Sequence, residues 1–388
     1  MPALEGYNIL DFSTLLPGPY ATMVLADMGA NVLKVSGKDK YDLVVNWPPV
    51  MEGTRVTGAQ AWLSRNKKTI HLNLKEPLSV DAVKKLIMEY DIIVEQFRPG
   101  VMDKLELGYE QLKAVNPRII YCSITGYGQT GPYAGKAGHD INYLARSGVA
   151  SAAGRKDSGP ALYNFQIADV AGGSMNAAIG ILCAILHREK TGEGQRIDIS
   201  MQDSAVPFNS MDGASYFAGG DLPSRERHLL NGGLIYDYYE TKDGGYMSVG
   251  SLEPKFFSAL CDVLGFPEWC DGKILETDPQ HVKETFRNVF KTRTRDEWRN
   301  VFEKTDACVE PVMDLEEVSR DEHLVFRGMW PEVPVPESDN VSMMQMGSPL
   351  HLSACPPVYR HAGYPEGFHT EEVLMALGYS KEQIAQMT

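Results

Sequence analysis

"YNILDFSTLLPGPYATMVLADMGANVLKVSG", residues 7–37, is the stretch whose reading decides the fold class. "YNILDFS" is a short apolar strand pattern. "PGPYATMVLADMGA" reads as a helix: Pro17 and Pro19 suit a first turn whose amides lack partners, and Gly29 closes it. "NVLKVSG" is strand again. Outward from there the alternation continues. "TIHLNLK" alternates like a strand, "LSVDAVKKLIMEY" has helical period, and "DIIVEQF" is a buried strand. "MDKLELGYEQLKAVN" is helical, and "RIIYCSITGYG" is a further strand. Strands alternating with helices predict a parallel sheet covered on both faces, with ligands at the carboxyl ends of its strands.

From about Ala171 to His187 runs a long apolar helix, followed by the turn "TGEGQ" and the strand "RIDISM". The glycine-rich, charged stretch "FAGGDLPSRERHLLNGG" marks a boundary. After it, "IYDYYETKDGGYMSVGS" is a hairpin pattern turning at Asp243-Gly244-Gly245, and helical segments follow in "EPKFFSALCDVLG", "HVKETFRNVFKT" and "RDEWRNVFEK". The expected division is a large α/β domain over 1–220, a smaller α+β domain over 221–330, and a C-terminal segment over 331–388. That segment is extended and proline-rich in "PEVPVPESDN" and "SACPPVYRH", and returns to the first domain or to a neighbouring molecule.

A net charge of −14 argues against nucleic acid or an anionic membrane as the main partner, while leaving room for a local basic cluster that holds an anionic ligand. The six cysteines form no CxxC pair and stand near no histidine at metal-ligand spacing, so reduced thiols and a cytoplasmic location are expected, with no metal. The start has neither a basic nor a long apolar segment of a secretory signal, and "NAAIGILCAILHREK" is too short for a membrane span.

Three carboxylates and one histidine stand out. His139 follows the glycines 126, 128, 131, 135 and 138, a loop whose backbone suits close approach of a ligand. Asp140 is the better helix N-cap of the pair, which frees the imidazole for proton transfer near neutrality. A lone histidine at a helix start is more often a plain structural residue. Asp169, in "NFQIADVAGG", is either an N-cap or a carboxylate poised as base or nucleophile. Glu253, before Pro254, either favours a helix dipole or does chemistry. "SRNKKTIHLNLK" supplies Arg65, Lys67, Lys68 and Lys75, and "EQFRPGV" supplies Arg98; these are either solvated surface or a phosphate cluster. No GxGxxG follows the first strand and no P-loop is present, which argues against a standard dinucleotide or nucleoside-triphosphate site.

Taken together, these residues resemble CoA-transferase family III (CaiB/BaiF type), and within it the α-methylacyl-CoA racemases. The resemblance runs through "LDFSTLLPGPYATMVLADMGANVLKV", "SRNKKTIHLNLK", "VEQFRPGVMDKLELGYEQLKAVNPRIIYCSITGYGQTGPY", "AGHDINYLARSG", "ADVAGGSMNAAIGILCAI", "KTGEGQRIDISMQD" and "HTEEVLMALGYS". It implies an N-terminal Rossmann-like α/β domain, a small second domain, a C-terminal segment returning to the first, and an interlocked homodimer. Transferases of the family use the aspartate at position 169 as a nucleophile that becomes a CoA thioester. Racemases use it as an acid/base opposite the histidine of "GHDINY", here His139, supported by the glutamate of an "EPxF" motif, here Glu253. By this resemblance the chain interconverts 2-methylacyl-CoA stereoisomers by proton removal and return through an enolate. The alternative is CoA transfer between carboxylic acids, and a third class is a non-catalytic CoA-binding protein. The enolate oxygen would find amide donors in the glycine-rich backbone near Asp169. No cofactor is implied beyond the CoA thioester, which is itself the substrate. Two departures are visible. Asn164 stands five residues before the aspartate where racemases often have four, and "VSGKDK" offers Lys38 where relatives carry arginine.

Overall fold

The computed structural model describes residues 1–38, 40–336, 338 and 341–388. Thus Asp39 of "VSGKDK", and Glu337, Asp339 and Asn340 of the proline-rich stretch, lie outside the described residues. The chain divides into two compact units. The first holds Met1–Ser147, Phe165–Pro207 and Glu322–Thr388; the second holds Gly148–Asn164 and Phe208–Asp321.

Six parallel strands carry the first unit: β1 (Asn8–Asp11), β2 (Asn31–Ser36), β3 (Lys67–His71), β4 (Ile92–Glu95), β5 (Ile120–Thr125) and β6 (Arg196–Ser200). Their spatial order is β3-β2-β1-β4-β5-β6. β4 and β5 are buried along their whole length, as strands covered on both faces must be, which explains their unbroken apolar runs. The order reverses between β1 and β4, and ligands of such sheets bind beyond the carboxyl ends of the strands, near that reversal. The charge inside the apolar β1 pattern has its reason there. Asp11 is fully buried and accepts from the Ser13 N–H at 2.8 Å and the Thr22 hydroxyl at 2.6 Å, with Lys34 at 3.6 Å and Lys67 at 3.7 Å. Burial alone would raise its carboxyl; the two ammonium groups bring it below the ordinary range.

Two helical expectations change. "MDKLELGYEQLKAVN" forms two short helices, Val101–Lys104 and Tyr109–Val115, interrupted where Glu106 takes a φ of 59°. The apolar helix begins earlier than its periodicity shows, because a π-helical turn over Ile167–Ser174 runs directly into Met175–Thr191. The joined 25-residue helix is long and apolar enough, by length and composition only, to cross a bilayer, which corrects the expectation that this apolar run is too short for a membrane span. Ala177, Ile181, Ala184, Ile185 and Arg188 bury one face of it, and the helix packs on β5 and β6. Arg188 closes that face in an ion pair with Asp91 at 2.8 Å.

In the second unit, an antiparallel sheet of Asp237–Glu240, Tyr246–Val249 and Val309–Pro311 has its hairpin turn at Gly244, whose φ is +79°. The helices Pro254–Leu264, Pro279–Phe290 and Arg295–Phe302 supply most of an aromatic core built from Tyr239, Phe257, Phe286, Phe290 and Trp298. By packing, 148–164 and 208–220 belong with this unit and 322–330 with the first, whereas the composition shift near 221 and 330 assigns them the other way.

The C-terminal segment packs within the first unit, held by Arg65. Its guanidinium is 1% exposed, grips Asp27 through Nε at 2.9 Å and Nη2 at 2.5 Å, and donates to the Met346 carbonyl at 2.6 Å. Arg65 is therefore a tie between the first helix and the returning chain. Arg65→Met leaves the buried Asp27 without its ion-pair partner, with only the Asn66 amide still donating to it, so we expect a loss of about 3–5 kcal/mol of stability. A thermal or urea midpoint equal to that of the unchanged protein would show that the tie carries no such weight.

Candidate active site

In the first unit one carboxylate, that of Asp140, links the segments that carry His139 and Asp169. The Asp140–Arg146 helix starts at His139, which occupies the N-cap position with φ −127° and ψ 172°; Asn142 Oδ1 accepts the His139 N–H at 3.0 Å. The expected capping role of Asp140 is thereby corrected: it is the first helical residue. Its Oδ1 instead accepts the backbone N–H of Asp169 at 3.0 Å, with the Ala168 N–H as a further donor. Asp140 thus stands at the mouth of the π-helical turn, and this places the adjacent His139 at the same end of the two packed segments. π-Helical turns are rare and recur at functional sites.

The electrostatics suit proton transfer. Asp169 is half-buried, and its carboxyl is pushed up to about 7, first by burial and then by the Asp140 carboxylate. Asp140 is itself raised by burial, against the lowering effect of the two amides it accepts. A carboxyl with a pKa near 7 is present in both forms at neutral pH, which matches a group that must alternately take and give a proton. The His139 side chain is exposed.

The glycines around this site have packing reasons. A Cβ at Gly126 would sit 2.4 Å from the Tyr143 ring and one at Gly138 would sit 2.7 Å from it. Tyr143 is 4% exposed, and its hydroxyl donates to the Gly138 carbonyl at 2.5 Å. The loop is therefore wrapped on Tyr143, which is core and not pocket lining; Met201 is buried too. Gly172 and Gly173 are pressed against Ser204, Met201 and Pro17, and the opening amides of the π turn are engaged by Asp140. The oxyanion role expected of this backbone therefore finds no support in the packing.

Glu253 lies in the second unit. It is the exposed N-cap residue of the Pro254–Leu264 helix and makes no side-chain cap bond. The same unit contains a cavity of about 740 Å³ whose lining includes Arg155, Tyr163, Leu230, Asp237 and Tyr238.

The expected phosphate-binding cations separate. Lys38 and Lys75 line one cavity of about 590 Å³ in the first unit, together with Lys34, Lys40, Phe12, Phe97 and Glu366. Its residues come from the carboxyl ends of β1 to β4, the place the sheet order favours. Lys40 lies over the Phe97 ring at 4.7 Å, and Lys34 pairs with Asp11 at its floor. Arg65 is sealed against Asp27. Lys68 is paired with Glu372 at 2.8 Å, and Arg98 lines a separate small cleft with Glu95 and Arg196. Lys34 was legible as the one charge inside the β2 pattern; Glu366 had no local signal, since only the returning chain brings it here.

Comparison with known proteins now decides the family. A profile of CoA-transferase family III matches residues 4–370. The chain belongs to CoA-transferase family III. Among family III relatives, it is similar to the human protein named alpha-methylacyl-CoA racemase, with 36% identity over 99% of this chain and 96% of that one. It is also similar to human succinyl-CoA:glutarate CoA-transferase, with 33% identity over 88% of this chain and 78% of that one. A crystal structure of a CaiB/BaiF family protein from Brucella suis superposes with a TM-score of 0.84 and 26% identity, covering 97% of this chain and 99% of that one. The mixed α/β fold, with its six-stranded parallel sheet and further antiparallel sheets, is therefore the family III fold.

Proposed function

We propose that this family III enzyme is an acyl-CoA racemase or epimerase acting on 2-methylacyl-CoA thioesters. The observation that carries the reading is the Asp140 carboxylate bonded to the Asp169 amide, which sets His139 and Asp169 at the joined mouths of two helical segments. One of the two removes the α-proton, the thioester carbonyl takes up the charge as an enolate, and the other returns a proton to the opposite face. The roles reverse for the other enantiomer. Glu253 is proposed as an auxiliary carboxylate of the reaction. The cavity lined by Lys38 and Lys75, with Lys34 and Lys40, is proposed to hold the CoA nucleotide, and binding energy there positions the acyl end. The chemistry requires no metal, flavin or nicotinamide.

We also propose the interlocked homodimer. Ile179, Leu182 and Leu186 expose an apolar stripe on the Met175–Thr191 helix, and Met211 and Phe217 are exposed in the second unit, surfaces that a second copy would cover. A cytoplasmic location is supported by six cysteines that are all unpaired.

The test is incubation with a single enantiomer of a 2-methylacyl-CoA in deuterated water, without an acceptor acid. Deuterium at the α-carbon together with loss of optical purity is expected. The competing reaction, CoA transfer through an aspartyl thioester on Asp169, requires an acceptor acid and leaves a CoA adduct on that side chain detectable by mass spectrometry. That adduct, with no deuterium in recovered substrate, would replace the racemase reading.

A further inference from the structure

The acid that an open α/β sheet of this strand order ordinarily carries after β2 is missing from that position: β2 ends in Ser36, followed by Gly37 and Lys38. In dinucleotide-binding folds of the same order, an acid near that point holds a ribose hydroxyl. Here a carboxylate arrives at the same place from the far end of the chain. Glu366 lines the lysine cavity, and its carboxylate is hydrogen-bonded by Ser36 and faces Lys34, His71 and Asp42. Ser36 in turn bonds His71 Nδ1 at 3.2 Å.

The segment around Glu366 is firmly placed. The Gly367 N–H donates to Thr69 Oγ1 at 3.2 Å, the His369 N–H to the Thr69 carbonyl at 2.9 Å, and the His71 N–H to Thr370 Oγ1 at 2.9 Å. Gly367, with φ +72°, lies so close to the His71 ring that a Cβ would overlap it. These contacts clamp the returning chain along the β3 edge and fix Glu366 beside the end of β2 before any ligand binds.

We propose that Glu366 is the ribose-reading residue of the nucleotide cavity, accepting a hydrogen bond from the free 2′-hydroxyl of an adenosine ribose whose 3′-phosphate lies on Lys38 and Lys40. The inference rests on the acyl-CoA reading above. A carboxylate has acceptor sites left after one bond to Ser36, and a ribose hydroxyl beside a phosphate presents one donor and one anion to an acid and a pair of lysines. The C-terminal segment thereby becomes a wall of the ligand site, and selectivity for the ribose depends on a residue that only the returning chain brings to the end of β2.

Calorimetric titration with CoA and with 2′-deoxy-CoA tests this without a mutant. The unchanged protein should bind the deoxy compound roughly 10-fold more weakly, the size expected of a hydrogen bond to a charged group. Glu366→Ala should bind the two alike, at the strength the unchanged protein shows for 2′-deoxy-CoA. Equal binding of both compounds by the unchanged protein, or a deoxy penalty that persists in Glu366→Ala, overturns the role of Glu366 and leaves the acyl-CoA reading standing. No binding of CoA at all removes that reading, and the inference with it.

Discussion

Asp169→Asn should reduce inversion of a 2-methylacyl-CoA by roughly 10²–10⁴-fold, the range general acid–base groups contribute. The substitution is close to isosteric, and the bond from the residue 169 backbone N–H to Asp140 does not involve the side chain, so the site geometry should persist. On the proposed mechanism the substitution removes one of two proton carriers. Inversion needs both faces of the α-carbon served, so it collapses, whereas the enantiomer whose proton His139 removes should still exchange it with solvent and recover its original configuration. Measuring deuterium content and optical purity separately reads the two events. A variant that loses exchange of both enantiomers equally would contradict a two-carrier site.

The pH dependence follows from the raised Asp169 pKa of about 7. In the direction where Asp169 takes the proton it must be ionised, so kcat/KM rises as pH passes upward through about 7. In the direction where it returns the proton it must be protonated, so that limb falls over the same interval. The asparagine variant should lose this feature. The same raised pKa bears on stability with a definite sign: a carboxyl whose folded pKa exceeds its unfolded value disfavours folding above the folded pKa, and relief comes as pH falls. Asp169→Asn should therefore leave the protein as stable or more stable at pH 8, a pattern common where function and stability conflict.

His139→Ala should show the complementary loss, of similar size. Exchange should vanish for the enantiomer that His139 deprotonates and survive, with retention, for the other. The imidazole is exposed, and its part in the capping box is shared with the Asn142 side chain, so folding should lose only about 1 kcal/mol. Binding of CoA thioesters should persist, since the lysine cavity contains none of these residues. If the reaction is CoA transfer through Asp169, removing the imidazole should leave turnover largely intact. The pair of variants therefore separates the readings: a crossed pattern of single-enantiomer exchange belongs to a racemase, while loss at Asp169 alone belongs to a transferase.

Local chemistry was enough for the six strands of the main sheet, because β1, β2, β4 and β5 are short, mainly apolar runs, while the sequences around β3 and β6 alternate apolar with polar residues. The hairpin at Gly244 was legible for the same reason, as was the candidacy of His139 and Asp169, whose residue types and positions at helix starts are local facts. Asp140 shows where local reading stops: its side chain bonds an amide 29 residues away, and nothing in its neighbours in sequence distinguishes that from a cap on its own helix. The basic cluster shows the same limit. Arg65, Lys67 and Lys68 are nearly adjacent, yet Arg65 is buried on Asp27, Lys67 reaches Pro19 and Thr22, and Lys68 meets Glu372. Alternation along a strand and the path of the returning chain decide which of them meets solvent, and both are tertiary properties. Glu366 reaches the end of β2 only because the last part of the chain packs along β3; desolvation, ion pairing and cavity lining are set by what arrives from far along the chain, which the sequence around a residue does not encode.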